Sequence, residues 1–194
     1  HRHTVMSTGG SVDGLSLSEV VLAHLNGANL LVVDGCHVEA QVKAAEQAKQ
    51  LGVKVVLHAD GVREGMGELV ALSDVLIASE RYASEMAPRG EIEDSLVELS
   101  RMGPTTVVVL LGADGSIGLE GEKLVHQPAL RVAVVDTTGA GDIYLGAFCY
   151  GLLQAWPLER CMQLGSTTAG LGCRELGARA GLVSLEEAET FMPK

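Results

Sequence analysis

The sequence predicts an α/β fold with a mostly parallel sheet and helices on both faces. Three observations predict it. Short runs of Val, Leu and Ile alternate with segments whose apolar residues recur at helical spacing. The composition is 47% hydrophobic but only 3% aromatic, which suits a Val- and Ala-rich layered core better than an antiparallel sandwich. Glycine-rich turns at 112–115 and 139–141 follow apolar runs, at the strand ends where such sheets bind ligands.

The elements follow in order. His3-Thr4-Val5-Met6 reads as a strand and so places the natural start of the protein upstream. Leu30 to Val33 is a strand ending in Asp34-Gly35. Val38, Val42, Ala45, Ala48 and Leu51 then mark a helix that Gly52 stops. Val53 to Leu57 is the next strand, and a short helix around Glu68 to Leu72 leads to strand Val75 to Ile77. Ser79 opens a further helix, and residues 91–102 form another, closed by Gly103-Pro104. Thr105 to Leu111 is the most apolar strand, so it belongs in the middle of the sheet. Ser116 to Leu119 and Lys123 to His126 pair as a hairpin around Glu120-Gly121.

The chain then crosses through Val132 to Val135 to the turn at 139–141. Beyond it, Leu145, Phe148, Cys149, Leu152 and Leu153 form an apolar helical stripe. Leu158 to Gly172 is a second long helix, with Trp156 packing at the junction. Ser184 and Glu187 form a capping box at the start of the last helix. The acidic stretch Glu91 to Asp94 is a solvated helix start. Neither repeats nor a low-complexity linker divide the chain, and residues 1–194 are read as one α/β unit.

Net charge is −11, from 14 Lys and Arg against 25 Asp and Glu. That disfavours nucleic acid or an acidic membrane surface as partner, because both need clustered cations. The longest clean apolar run, Val107 to Leu111, is far below the ~20 residues a spanning helix needs. Cys36, Cys149, Cys161 and Cys173 include no C-x-x-C pair, so they read as buried free thiols of a cytoplasmic protein rather than metal ligands.

The chemistry lies in Asp136-Thr137-Thr138-Gly139-Ala140-Gly141-Asp142. Small residues at a helix start let unpaired backbone N–H groups approach a ligand, and the helix dipole favours an anion there. Asp142 in the first turn would repel a phosphate as a ligand. It makes sense as a base that takes a proton from a hydroxyl attacking that phosphate. The plain alternative is a carboxylate complementing the dipole beside an ordinary turn. A dinucleotide-binding G-x-G-x-x-G is excluded, because Tyr144 stands where its third glycine belongs.

Asp136 to Ala147, DTTGAGDIYLGA, is similar to the second signature of the ribokinase-like (PfkB) carbohydrate kinases. Val107 to Ser116 resembles the family's strand and Gly-x-x-Gly turn, and Glu175 to Arg179 its C-terminal loop. The resemblance covers essentially the whole chain and implies a three-layer ribokinase-like fold. It implies ATP- and Mg2+-dependent phosphorylation of a sugar or sugar-like alcohol, with Asp142 as general base. Gly139, Ala140, Gly141 and the Asp142 N–H would be the anion hole. Gly112, Gly115, Thr138, Ser166 and Gly170 would contact nucleotide. Asp136, Thr138, Gly172, Glu175, Gly177 and Gly181 would hold a monovalent cation such as K+, largely through carbonyls, with Gly177 equally readable as a helix C-cap.

Asp34 and His37 end a strand on the sugar side and are candidate substrate contacts, against a plain turn. His58 stands where relatives often carry Asp. Two departures concern metal and nucleotide geometry. Ser79-Glu80-Arg81-Tyr82 replaces the family's Asn-x-x-Glu, leaving Glu80 to hold Mg2+ through water. Leu110 replaces a common Thr. The resemblance also places a sugar-binding Asp, a Gly-Gly loop and a β-lid before this segment. His1 and His3 are either part of a lid strand or simply exposed. The parent protein is thus expected to be a homodimeric kinase, and this chain alone to be inactive. A nucleoside kinase of the same fold and a nucleotide-binding pseudokinase are the competing readings.

Overall fold

Strand order equals chain order in a six-stranded sheet, β1 to β6. The computed structural model describes residues 14–20, 22–88 and 90–192. The N-terminal strand expected at His3 to Met6, and His1, lie outside the described residues. β1 is Leu30–Val33, β2 Lys54–Ala59, β3 Val75–Ser79 and β4 Thr106–Leu110, all mutually parallel. β5, Ser116–Glu120, and β6, Lys123–Gln127, add an antiparallel hairpin against β4.

Right-handed crossovers that always step the same way must put their helices on one face. α1 (Val38–Gln50), α2 (Met66–Leu72), α3 (Glu80–Met86) and α4 (Ile92–Arg101) occupy that face. The chain reaches the other face only after β6, and covers it with α5 (Ala140–Leu153) and α6 (Leu158–Gly172). α7, Leu185–Phe191, then packs on α6.

Alternating strand residues split the core in two. Val55, Leu57, Leu76, Val107 and Val109 face α1–α4. Val56, Val75, Ile77 and Val108 face α5 and α6, packing against Phe148, Cys161 and Met162. His58 and Leu110 continue this second set at the carboxyl ends of β2 and β4.

α5 packs Leu145, Phe148, Cys149 and Leu152 of the expected stripe against the core, and its most deeply buried line runs beside that stripe. Tyr144, Phe148 and Gly151 are buried, while Leu153 is exposed. The reason is that glycine forms the contact. A Cβ on Gly151 would stand 2.7 Å from Cys161 Sγ, and one on Gly165 of α6 would stand 2.9 Å from the Tyr144 ring. The two helices meet across these bare positions, so Leu153 is left outside. Tyr144 anchors α5 to the sheet through a 3.0 Å bond with the Ser116 hydroxyl.

Smaller differences concern ends and caps. α2 begins at Met66, after Gly65 in a left-handed turn. Residues 131–135 form no strand; Val134 and Val135 are exposed, and Val135 N–H donates to the Cys173 carbonyl at 2.8 Å. At α7 the Ser184 hydroxyl accepts from Glu187 N–H, but no return bond from the Glu187 side chain forms, so the expected capping box is half made. The reason is that Glu187 Oε1 accepts from Arg174 Nη2 instead, at 3.2 Å.

All four cysteines are free thiols. Cys161 and Cys173 are buried and Cys149 is half-buried; burial pushes the Cys149 and Cys161 thiols up to about 11. Cys36 departs from the buried expectation and is exposed, because it sits in the turn after β1. Trp156 stacks edge-on against Tyr150 at 5.7 Å and carries the Arg160 guanidinium 3.8 Å above its ring. Among the described residues no helix is long and apolar enough to cross a membrane.

Candidate active site

The start of α5 lies over the carboxyl ends of the parallel strands. Gly141 faces His58 of β2 and Leu110 of β4. Three features build this turn. Asp136 fastens it: Oδ1 accepts from Thr138 N–H at 2.9 Å and Thr138 Oγ1 at 2.8 Å, and Oδ2 accepts from Gly177 N–H at 2.7 Å. The Thr138 amide, then its hydroxyl, and the Gly177 amide hold the Asp136 carboxyl below its ordinary range. Gly139 then reverses the chain at φ +75°, with Ala178 so close that a Cβ would stand 2.7 Å from the Ala178 methyl. Both conformation and packing demand glycine there. Ile143 N–H donates to the Gly139 carbonyl at 2.9 Å and starts the helix.

Gly141 is different. Its φ is not left-handed, and an added Cβ would meet His58 and Leu110 at 3.6–3.9 Å, an ordinary contact. A glycine in a helix costs about 1 kcal/mol relative to Ala. Neither strain nor crowding explains Gly141, whereas close approach of a ligand to the backbone does. Ala140 N–H already donates to the Thr137 carbonyl at 3.1 Å. Among the described residues, the N–H groups of Gly139, Gly141 and Asp142 have no partner outside the helix.

Asp142 is the exposed acid of the turn. Its side chain is 79% accessible, and His58 Nδ1 lies 3.8 Å from Oδ1. On the far side of α5, Asp142 borders a cavity of about 410 Å3 with Gly146, Tyr150, Leu164, Thr168 and Leu182. Ser166 and Gly170 point away from it, because positions two apart on a helix differ by about 200°. Ser166 is buried, and Gly170 packs against Leu130, whose Cβ would stand 2.9 Å from an added Cβ.

The other sequence candidates divide into free and fastened. Gly112 adopts φ +60° with open space around it, whereas Gly115, at φ +98°, is pressed against the backbone of residues 127–129. Thr138 spends both its N–H and its hydroxyl on Asp136. Asp34 Oδ1 accepts from Cys36 N–H at 2.9 Å and Gln41 Nε2 at 2.7 Å. Partial burial raises the Asp34 carboxyl, but the Gln41 and Cys36 donors and Arg63 outweigh it and the net shift is downward. His37 Nδ1 accepts from Leu15 N–H at 3.3 Å. Gly172 and Gly181 meet backbone to backbone, Asp136 and Gly177 are bonded, and Glu175 is exposed.

The segment that departs from Asn-x-x-Glu has a structural use. The Ser79 hydroxyl caps α3 by accepting from Tyr82 N–H at 3.1 Å and donates to the Asp60 carbonyl at 3.2 Å. Arg81 Nη2 donates to the same carbonyl at 3.0 Å. Tyr82 is fully buried on the α1–α4 face with its hydroxyl unpartnered, and burial raises its pKa. It can supply no metal ligand at the site. Glu80 is exposed at the start of α3, with no side-chain partner among the described residues. A lone exposed carboxylate fits a hydrated Mg2+ held through water rather than directly. No group of three His, Cys, Asp or Glu side chains suited to a metal occurs among the described residues.

A mostly parallel sheet with α1–α4 on one face and α5 and α6 on the other, and with an open helix N-terminus and an exposed carboxylate over its strand ends, defines a three-layer α/β protein. Residues 11–185 match the model of the pfkB family carbohydrate kinases, and the chain belongs to that family. It is 30% identical over 151 residues to the ribokinase of Lactococcus lactis, covering 78% of this chain and 49% of the relative. It is 28% identical over 140 residues to the aminoimidazole riboside kinase of Salmonella typhimurium, covering 70% and 44%. The ribokinase of Arabidopsis thaliana in complex with ribose and ATP superimposes with a TM-score of 0.78 at 25% identity, covering 88% of this chain and 57% of that one. The chain thus spans about half the length of the curated relatives it matches.

Proposed function

We propose that this chain is the nucleotide-binding and catalytic part of an ATP-dependent kinase that phosphorylates a hydroxyl of a sugar or sugar-like alcohol. The observation that carries the reading is Gly141, a glycine that neither strain nor packing requires, beside an exposed Asp142 at an unpaired helix N-terminus. The N–H groups of Gly139, Gly141 and Asp142 would receive the γ-phosphoryl oxygens, with Ala140 contributing less because its own N–H is engaged. Asp142 would take the proton of the acceptor hydroxyl as its oxygen bonds to the γ-phosphorus. The bond to the bridging oxygen breaks in line, and ADP leaves.

Gly112 would lie against the nucleotide, with Gly115 shaping its loop, and Ser166 and Gly170 would border the base on the α6 face away from the cavity. A Mg2+ ion held through water by Glu80 would neutralise triphosphate charge. The carbonyls around Asp136, Gly172, Gly177 and Gly181 would suit K+. Asp34 and His37, both engaged in their own loop, would touch substrate only at its edge.

A ribose-bearing acceptor is favoured by two relatives, the ribokinase and the aminoimidazole riboside kinase, and so keeps a nucleoside-type acceptor as the second reading. Buried Tyr82 favours a binder without turnover. The deciding experiment is calorimetric titration with a non-hydrolysable ATP analogue and Mg2+, beside Gly141→Asp. Binding lost in the variant supports the reading. Equal binding by both places the nucleotide elsewhere, and turnover assays with ribose and nucleosides then separate kinase from binder.

A further inference from the structure

We propose that His58 is a positioning residue for the Asp142 carboxylate, holding Oδ1 so that Oδ2 is left to accept the proton of the acceptor hydroxyl. The inference rests on the proposed role of Asp142 as base. Among the described residues, His58 is the one basic side chain within ion-pair distance of Asp142, Nδ1 to Oδ1 at 3.8 Å.

The two partners differ in freedom. The Asp142 side chain is largely in solvent, on the first turn of α5, and among the described residues no hydrogen bond fixes its torsions. The His58 side chain is 16% accessible and is held on several sides. Its backbone is in β2, paired with Ile77 of β3. The strand end beyond it is tied down, because Ser79 and Arg81 both donate to the Asp60 carbonyl. Its ring lies against Gly141, where an added Cβ would be 3.6 Å from Nε2 and 3.7 Å from Cε1. A fixed donor beside a mobile acceptor sets the acceptor's direction. A modest turn of the carboxylate closes the 3.8 Å separation to the roughly 2.8 Å of a charge-assisted bond.

The ring's two nitrogens then have separate surroundings. Nδ1 faces the carboxylate and must carry the proton, while Nε2 faces Gly141. The bond at one nitrogen fixes the tautomer of the ring. The arrangement inverts the familiar order in which a carboxylate orients a histidine base. Here the histidine belongs to the rigid strand and the base to the exposed helix turn.

The test reads the tautomer and the kinetics separately. Imidazole 15N shifts are recorded at about pH 9, well above the ordinary histidine range. We expect His58 as the Nδ1–H form in the unmodified chain and the Nε2–H form in Asp142→Ala, which removes the acceptor. The same tautomer in both overturns the proposal, whether or not Asp142 is the base.

In phosphoryl transfer by the full-length kinase, His58→Ala should lower kcat by about tenfold to a hundredfold with KM for ATP unchanged. His58→Asn, which keeps a donor where Nδ1 stands, should recover most of it. On an Asp142→Asn background His58→Ala should cost nothing further. A full additional loss there, or no rescue by Asn, overturns the proposal. Undiminished turnover by Asp142→Asn alone instead removes the base assignment and leaves the tautomer result standing.

Discussion

The two acids of one short turn have opposite fates. Asp136 receives three hydrogen bonds and ties the turn to Gly177. Asp142, six residues on, is exposed, and among the described residues its one charged neighbour is His58. The two glycines between them divide the same way: Gly139 is demanded by its φ and by Ala178, and Gly141 by neither. The N-terminal end of the turn is built to hold shape, and the helical end is left open. A motif that reads as one unit in sequence is therefore two devices in space.

The largest effect should come from the open end. In the full-length kinase, Asp142→Asn should lower phosphoryl transfer by about 10²- to 10⁴-fold, while the melting temperature stays within a degree or two. A large drop in stability would make Asp142 a structural acid and erase the contrast.

The glycines should then separate. Gly139→Ala should destabilise the chain by roughly 1–3 kcal/mol, from a strained φ and overlap with Ala178. Gly141→Ala should leave stability unchanged or raise it by up to about 1 kcal/mol, yet weaken ATP-analogue binding. Urea melts and calorimetry on the pair check both; equal destabilisation would show that Gly141 too is structural.

The smallest effect should be the pH response of Asp136. Its folded-state pKa is depressed, so its contribution to stability is present above the unfolded value, about 3.9, and is lost as pH falls through the lower folded value. Asp136→Asn should be less stable at neutral pH and show a flatter acid limb below pH ~4 in thermal melts. An unchanged acid limb would assign that region to other carboxylates.

Much of the fold was legible, because period and punctuation are local. β4 reads as central from its unbroken apolar run, and it lies between β3 and β5. The turn at 136–142 reads as a helix start from its small residues, and α5 begins there at Ala140. The rest depended on contacts between distant segments. The apolar stripe of α5 was legible, but its close approach to α6 was hidden because Gly151 and Gly165, which carry no hydrophobic signal, form that contact. The fastening of Asp136 needs Gly177, brought near only by the fold. The His58–Asp142 contact follows from strand parity: His58 shares a face with Val56, so it points at the layer that carries α5. Parity was readable, but which helix would cover that face was not. Tyr82 reads as a replaced metal residue, yet it is a core residue of the opposite face.

The strand order has a kinetic meaning. Each strand pairs with its neighbour in the chain, so the sheet can grow by short loop closures, a topology that favours rapid folding. The contact between His58 and Asp142 closes a far longer loop, spanning β2 to α5. The sheet should therefore assemble before the corner formed by His58 and Asp142 does, and a chain arrested at that stage would hold its strands while the corner is still unmade.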